Sequence, residues 1–139
     1  MMRTMMTTAR LTTFAADYTA AWCGQDAARV AAFYAPAGSL QINGGAPSVG
    51  RDSIAAAAQS FMSAFPDMVV ALDDVSAQGE GAVYRWTLTG TNTGPGGTGN
   101  AVRISGYEEW TFGKDGLIRE SKGHFDEAEY QRQVTSLLG

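Results

Sequence analysis

One change of period organises this chain. Apart from a short stretch at residues 39–43, the apolar residues up to Pro66 recur at helical spacing, and from there to about residue 126 they alternate as strand residues do. Leu11, Phe14, Ala15, Tyr18 and Trp22 fall on one stripe of a helix, which Gly24 breaks. Asp26 caps an expected second short helix carrying Val30, Phe33 and Tyr34, stopped by Pro36 and Gly38. A strand is expected over residues 39–43, and residues 44–47 turn away from it. A third helix follows Gly50, with Asp52 in its first turn, a buried stripe of Ile54, Ala58, Phe61 and Phe65, and Pro66 at its end.

The remainder reads as sheet. Residues 68–75, 83–91, 101–112 and 117–126 are expected strands, with a glycine-rich connection over 93–100 and an Asp115–Gly116 hairpin signal. A polar end follows, with a helical turn carrying Tyr130, Val134 and Leu137. Helix, helix, strand, helix and then four strands is a segregated order, so the class is α+β with a largely antiparallel sheet. Three helices across one curved sheet leave a cone-shaped space, the natural place for a ligand. Residues 1–10 read as a loosely ordered tail and 11–139 as one domain.

With 45% hydrophobic residues and a net charge of −4, the composition argues against nucleic acid or an anionic membrane as partner. No apolar run approaches the ~18–20 residues of a membrane span, so the expected address is the cytoplasm. Cys23 is the one cysteine and His124 the one histidine, which disfavours a disulfide framework and a multi-histidine metal site. Cys23 is expected to be a structural thiol. The expectation is a protein without metal or cofactor.

The loop over residues 93–100 lacks the Gly-Lys-Ser/Thr ending of a phosphate loop, and a strand rather than a helix follows it. It reads as a long hairpin connection. His124 and Asp126 are two apart in an expected strand and so project together, a plausible proton-transfer pair. The same spacing fits an aspartate that ends a strand and caps the next turn. Glu108 shares its parity with Ile104, Trp110 and Phe112, which points it inward as a second carboxyl group or a partner for His124. A bulge at Gly106 would instead turn Glu108 out and Glu109 in. Tyr18, Trp22, Tyr34, Phe61, Trp86 and Trp110 are candidates for the wall of a ligand pocket, while Arg85 has outward parity.

Several segments carry a resemblance. Residues 49–54 read V-G-R-D-S-I, 64–67 A-F-P-D, 85–91 R-W-T-L-T-G-T and 112–118 F-G-K-D-G-L-I, followed by Phe125–Asp126 and the closing Leu137-Leu138-Gly139. In this order they resemble the SnoaL-like polyketide cyclases of the nuclear-transport-factor-2-like (NTF2-like) superfamily. The resemblance runs from about residue 11 to the C-terminus. It implies a cone of three helices on a curved sheet, a small apolar or aromatic ligand, and a homodimer through the open sheet face. It also implies cofactor-free acid/base catalysis of an intramolecular aldol closure or related isomerisation, with Asp126 as acid/base and His124 orienting it. Asn92 and Glu109 depart from the family pattern. An epoxide-hydrolase Arg-x-Asp pair is missing, as is a carboxylate in the strand after the second helix, where a ketosteroid-isomerase-like site would have one. A ligand-binding protein without catalysis is the alternative.

Overall fold

The structure, a computed structural model, describes residues 7–135. Helix α1 (Thr8–Cys23) starts inside the expected tail, because the Thr7 side chain accepts from Arg10 N and caps it. Helix α2 (Ala27–Ala32) is capped by Asp26 but is shorter than its apolar pattern suggested. Tyr34 already belongs to strand β1 (Tyr34–Ile42), paired with Ile118, and Ile118 N donates to Phe33 O. Pro36 disfavours helical backbone in the residue before it, and a register shift between Tyr34 and Ser39 takes up Pro36 and Gly38.

A two-residue strand β2 (Ser48–Val49), unforeseen from the sequence, precedes α3 (Arg51–Ala64). Strands β3 (Val69–Gln78), β4 (Gly81–Thr91), β5 (Ala101–Phe112) and β6 (Ile118–Phe125) follow, then α4 (Glu127–Thr135). Leu137 lies outside the described residues. The six strands are ordered β2-β1-β6-β5-β4-β3, antiparallel except for the β1–β6 pair. The architecture is therefore α+β on a curved, mostly antiparallel sheet.

Alternation along β4 and β5 sorts the side chains onto two faces. Ala82, Tyr84, Leu88, Val102, Ile104 and Trp110 are buried inward in one core shared with residues of α1 and α3, while Arg85, Arg103 and Glu109 are exposed on the outer face. Tyr18 is the pivot of this core, meeting Tyr84 and Trp110 edge-on, and those two rings stack on each other at 4.8 Å. Cys23 Sγ donates to Val70 O and accepts from Val70 N, tying the end of α1 to β3.

The connection between β4 and β5 is a stapled loop. Buried Asn92 accepts from Thr98 N and donates to Ala64 O, and Gly94 lies against Ser63, where a Cβ would collide. Beyond Gly106, β6 no longer accompanies β5. Helix α4 covers that edge instead, with Gln133 accepting from Arg103 N and Val134 O accepting from Asn100. No described helix is long and apolar enough to cross a membrane.

Candidate functional site

Between the inner sheet face and the helices lies a small apolar cavity whose mouth is continuous with solvent. Trp22 and Phe61 line it from the helices, Leu40, Ile42, Val70, Tyr84, Trp86, Leu88, Ile104, Glu108, Gly123 and Phe125 from the sheet, and Tyr130 from α4. No Lys, Arg or His is among them. The hydroxyl of Tyr84 is engaged with Thr19 Oγ1, whose own proton goes to Ala15 O, so the phenol proton is already committed.

Glu108 is the carboxyl group in this lining. It is 8% exposed, and its two oxygens differ. Oε1 accepts from Trp110 Nε1 at 2.8 Å, Ser121 Oγ at 2.8 Å and Tyr18 OH at 3.0 Å. Oε2 accepts only the longer branch from Tyr18, at 3.2 Å. Behind Tyr18, its hydroxyl meets that of Tyr34 at 2.9 Å. Burial pushes the Glu108 carboxyl above its ordinary range, against the hydrogen bonds from Trp110, Ser121 and Tyr18, which favour the charged form. Burial likewise raises the Tyr18 and Tyr34 phenols, with the Glu108 charge adding to it, so both stay protonated donors.

Such a carboxyl can exchange a proton with a ligand, and the saturated Oε1 leaves Oε2 as the oxygen with hydrogen-bonding capacity to spare. The strand parity of Glu108 holds. Gly106 makes no bulge, because residues 101–111 pair with β4 in unbroken register.

Of the other expected wall residues, Trp22, Phe61 and Trp86 line the cavity. Tyr18, Tyr34 and Trp110 do not; they stand behind it as core and as the hydrogen-bonding layer around Glu108. Sequence reading did not single out the other lining residues, Ile42, Gly123, Phe125 and Tyr130 among them. Phe125 and Gly123 share one parity in β6, and that could have marked them.

His124 and Asp126 stand elsewhere. His124 is on the outer face opposite Tyr107, stacks on that ring at 4.7 Å, and pairs through Nε2 with Glu109 Oε1 at 2.8 Å. Arg85 lies over the other side of this group, 5.5 Å from the Tyr107 centroid. Asp126 follows the end of β6, is exposed, and accepts from Glu129 N at 3.0 Å as the cap of α4. The strand-period reading that joined the two fails geometrically, because the strand stops at Phe125 before its alternation reaches Asp126. Among the described residues, no group of three or more His, Cys, Asp or Glu side chains is arranged to hold a metal ion.

A sequence profile described as SnoaL-like domain matches residues 15–121, most of the chain. The chain belongs to the SnoaL-like domain family. This SnoaL-like chain has no match among proteins of curated function. Its solved structural neighbours share the NTF2-like fold. One, from Jannaschia sp. CCS1 and provisionally assigned as a SnoaL-like polyketide cyclase, is 18% identical with a TM-score of 0.74, covering 89% of this chain and 93% of that one. An NTF2-like protein of unknown function from Burkholderia pseudomallei K96243 is 22% identical, with a TM-score of 0.76 and coverages of 90% and 97%. A protein of ketosteroid-isomerase-like fold from Catenulispora acidiphila, solved in complex with trimethylamine, is 14% identical, with a TM-score of 0.76 and coverages of 87% and 91%. At such identities the likeness is one of fold.

Proposed function

We propose that this SnoaL-like protein performs acid/base chemistry, without a cofactor, on a neutral, apolar, carbonyl-bearing small molecule, and that Glu108 is its working group. The observation that carries this is a carboxyl with raised proton affinity set in an otherwise apolar cavity wall. The lining offers no cation to an anionic ligand, which favours an uncharged one. In the reaction, ionised Glu108 takes a proton from a carbon next to a carbonyl, and the C–H electron pair moves into an enolate. In an isomerisation the proton returns to another carbon. In an aldol closure the enolate carbon bonds to a second carbonyl carbon, and Glu108 returns the proton to the resulting alkoxide.

The family resemblance assigns the acid/base role to Asp126, but its exposed place as the α4 cap favours Glu108 for that role. A test is exchange of the C1 protons of 2-tetralone in D2O, followed by NMR. The wild-type protein is expected to accelerate exchange over buffer. Glu108→Gln should lose that acceleration by about 100-fold or more, the usual scale of a general base. Full activity in Glu108→Gln rejects the role, and loss in Asp126→Asn returns it to Asp126.

A second reading is ligand binding without catalysis. Trp22, Phe61, Tyr84, Trp86, Phe125 and Tyr130 surround a carboxyl group, a lining that also suits a small tertiary amine cation, and the Catenulispora neighbour was solved with trimethylamine. The pH dependence separates the two. Proton exchange on a neutral carbonyl ligand rises as Glu108 ionises without tighter binding, whereas a cation held by ionised Glu108 binds more tightly as pH rises. The outer sheet face is proposed as the contact with a second copy, which sedimentation velocity would show as a dimer.

A further inference from the structure

We infer that Gly123 is the specificity-determining position of the cavity, its missing side chain leaving the space in which a ligand reaches Glu108. The inference rests on the Glu108 reading above. Gly123 sits in β6 between two paired strands, directly opposite Glu108 on one side and Ile42 on the other. Glycine weakens a strand interior, so its presence there calls for a reason.

Other strand glycines have a steric one. A Cβ at Gly38, Gly81 or Gly106 would run into backbone atoms, and at Gly106 it would also stand 2.7 Å from the Trp86 ring. Gly90 is crowded by Phe65 Cβ at 3.2 Å. Gly123 differs from all of these. A Cβ there would meet Gln41 O at 3.5 Å and Glu108 Cγ at 3.8 Å, ordinary contacts. Its φ is not positive, and the register on either side of it is unbroken. Neither backbone conformation nor packing requires glycine at this place.

What the position does have is a share of the cavity lining beside the Glu108 side chain. A methyl group there would occupy the cavity without disturbing the protein around it. The geometry therefore makes residue 123 a gate on ligand size at the carboxyl end of the cavity. With glycine the approach to Glu108 is widest; alanine narrows it by one methyl group and valine by more.

The test uses 6-propionyl-2-dimethylaminonaphthalene, a neutral aromatic ketone whose emission reports hydrogen bonding to its carbonyl. It is titrated against the wild-type protein, Gly123→Ala, Gly123→Val and Glu108→Gln, with thermal melts of each. Gly123→Ala is expected to melt at or above the wild-type temperature, yet bind the probe at least tenfold more weakly, and Gly123→Val to bind it more weakly still. Unchanged affinity in Gly123→Ala, or a melting temperature several degrees lower, overturns the inference. Glu108→Gln separates the two claims. If that variant shifts the probe's emission while Gly123→Ala changes nothing, the gate fails and Glu108 stands. If Glu108→Gln leaves emission and affinity untouched at every pH while Gly123→Ala weakens binding, the Glu108 reading fails and the gate survives.

Discussion

Trp110 donates its indole proton to the Glu108 carboxylate at 2.8 Å, two positions earlier on the same strand. Residues so spaced share a face of the sheet, so this donor accompanies the carboxyl wherever the strand goes. A donor to the charged form opposes the desolvation that raises Glu108. Trp110→Phe keeps an aromatic ring against Tyr84 and removes the donor. Its expected result is a higher midpoint for Glu108 ionisation, read by carboxyl 13C NMR on glutamate-labelled protein and assigned with Glu108→Gln. Loss of the hydrogen bond together with the smaller ring should lower stability by about 1–3 kcal/mol. An unmoved midpoint would show that the indole does not tune this carboxyl.

The raised proton affinity of Glu108 has a signed effect on stability. In the unfolded chain the group titrates near its ordinary 4.5, and in the folded state above it. Between those two values the folded protein still holds a proton that the unfolded chain has released. Stability therefore falls as pH rises through that window. Glutamine keeps an acceptor oxygen for Trp110, Ser121 and Tyr18 but cannot ionise. The melting temperature of Glu108→Gln relative to wild type should accordingly climb as pH rises from about 4.5 through the folded-state midpoint and then level off. A difference independent of pH would mean that Glu108 titrates alike in both states.

Trp86 lies against strand β5 because Gly106 has no side chain there. A Cβ at Gly106 would sit 2.7 Å from the indole and press into the backbone of His124. Gly106→Ala is expected to destabilise the protein by about 1–3 kcal/mol, as overpacking does. Chemical denaturation would measure it, and a neutral outcome would show that Trp86 moves aside freely.

Asp126 offers a contrast between two substitutions. As the cap of α4 it accepts from Glu129 N, a role asparagine can fill and alanine cannot. Asp126→Ala should cost about 0.5–2 kcal/mol and increase amide exchange in α4, while Asp126→Asn should be near neutral. Neither should move the Glu108 titration. A shift of that titration in Asp126→Asn would mean that the two carboxyl groups are coupled.

Much of the inner sheet face was legible without a structure. The parity of Ile104, Glu108 and Trp110 sets their common side by local geometry alone, and the uninterrupted pairing of β4 with β5 leaves no bulge to upset it. Trp22, Phe61 and Trp86 were recognisable as wall residues for the same reason, each belonging to an apolar stripe of its own element. Tyr18, Tyr34 and Trp110 were right in face but not in depth. Whether an inward ring touches a cavity or fills the layer behind it depends on how far α1 stands from the sheet, a distance that no periodicity contains.

The α+β order, the common parity of Ile104, Glu108 and Trp110 and the turn after Asp115 are legible in the residues alone, because they depend on spacing along single elements. Where β6 ends and which of its faces lines the cavity come from packing between elements, so that His124 meets Glu109 outside while Gly123 and Phe125 look in. Alternation states which residues share a side and is silent on which side that is. The choice is made by the register with β5, where Glu108 stands opposite Gly123 and Tyr107 opposite His124.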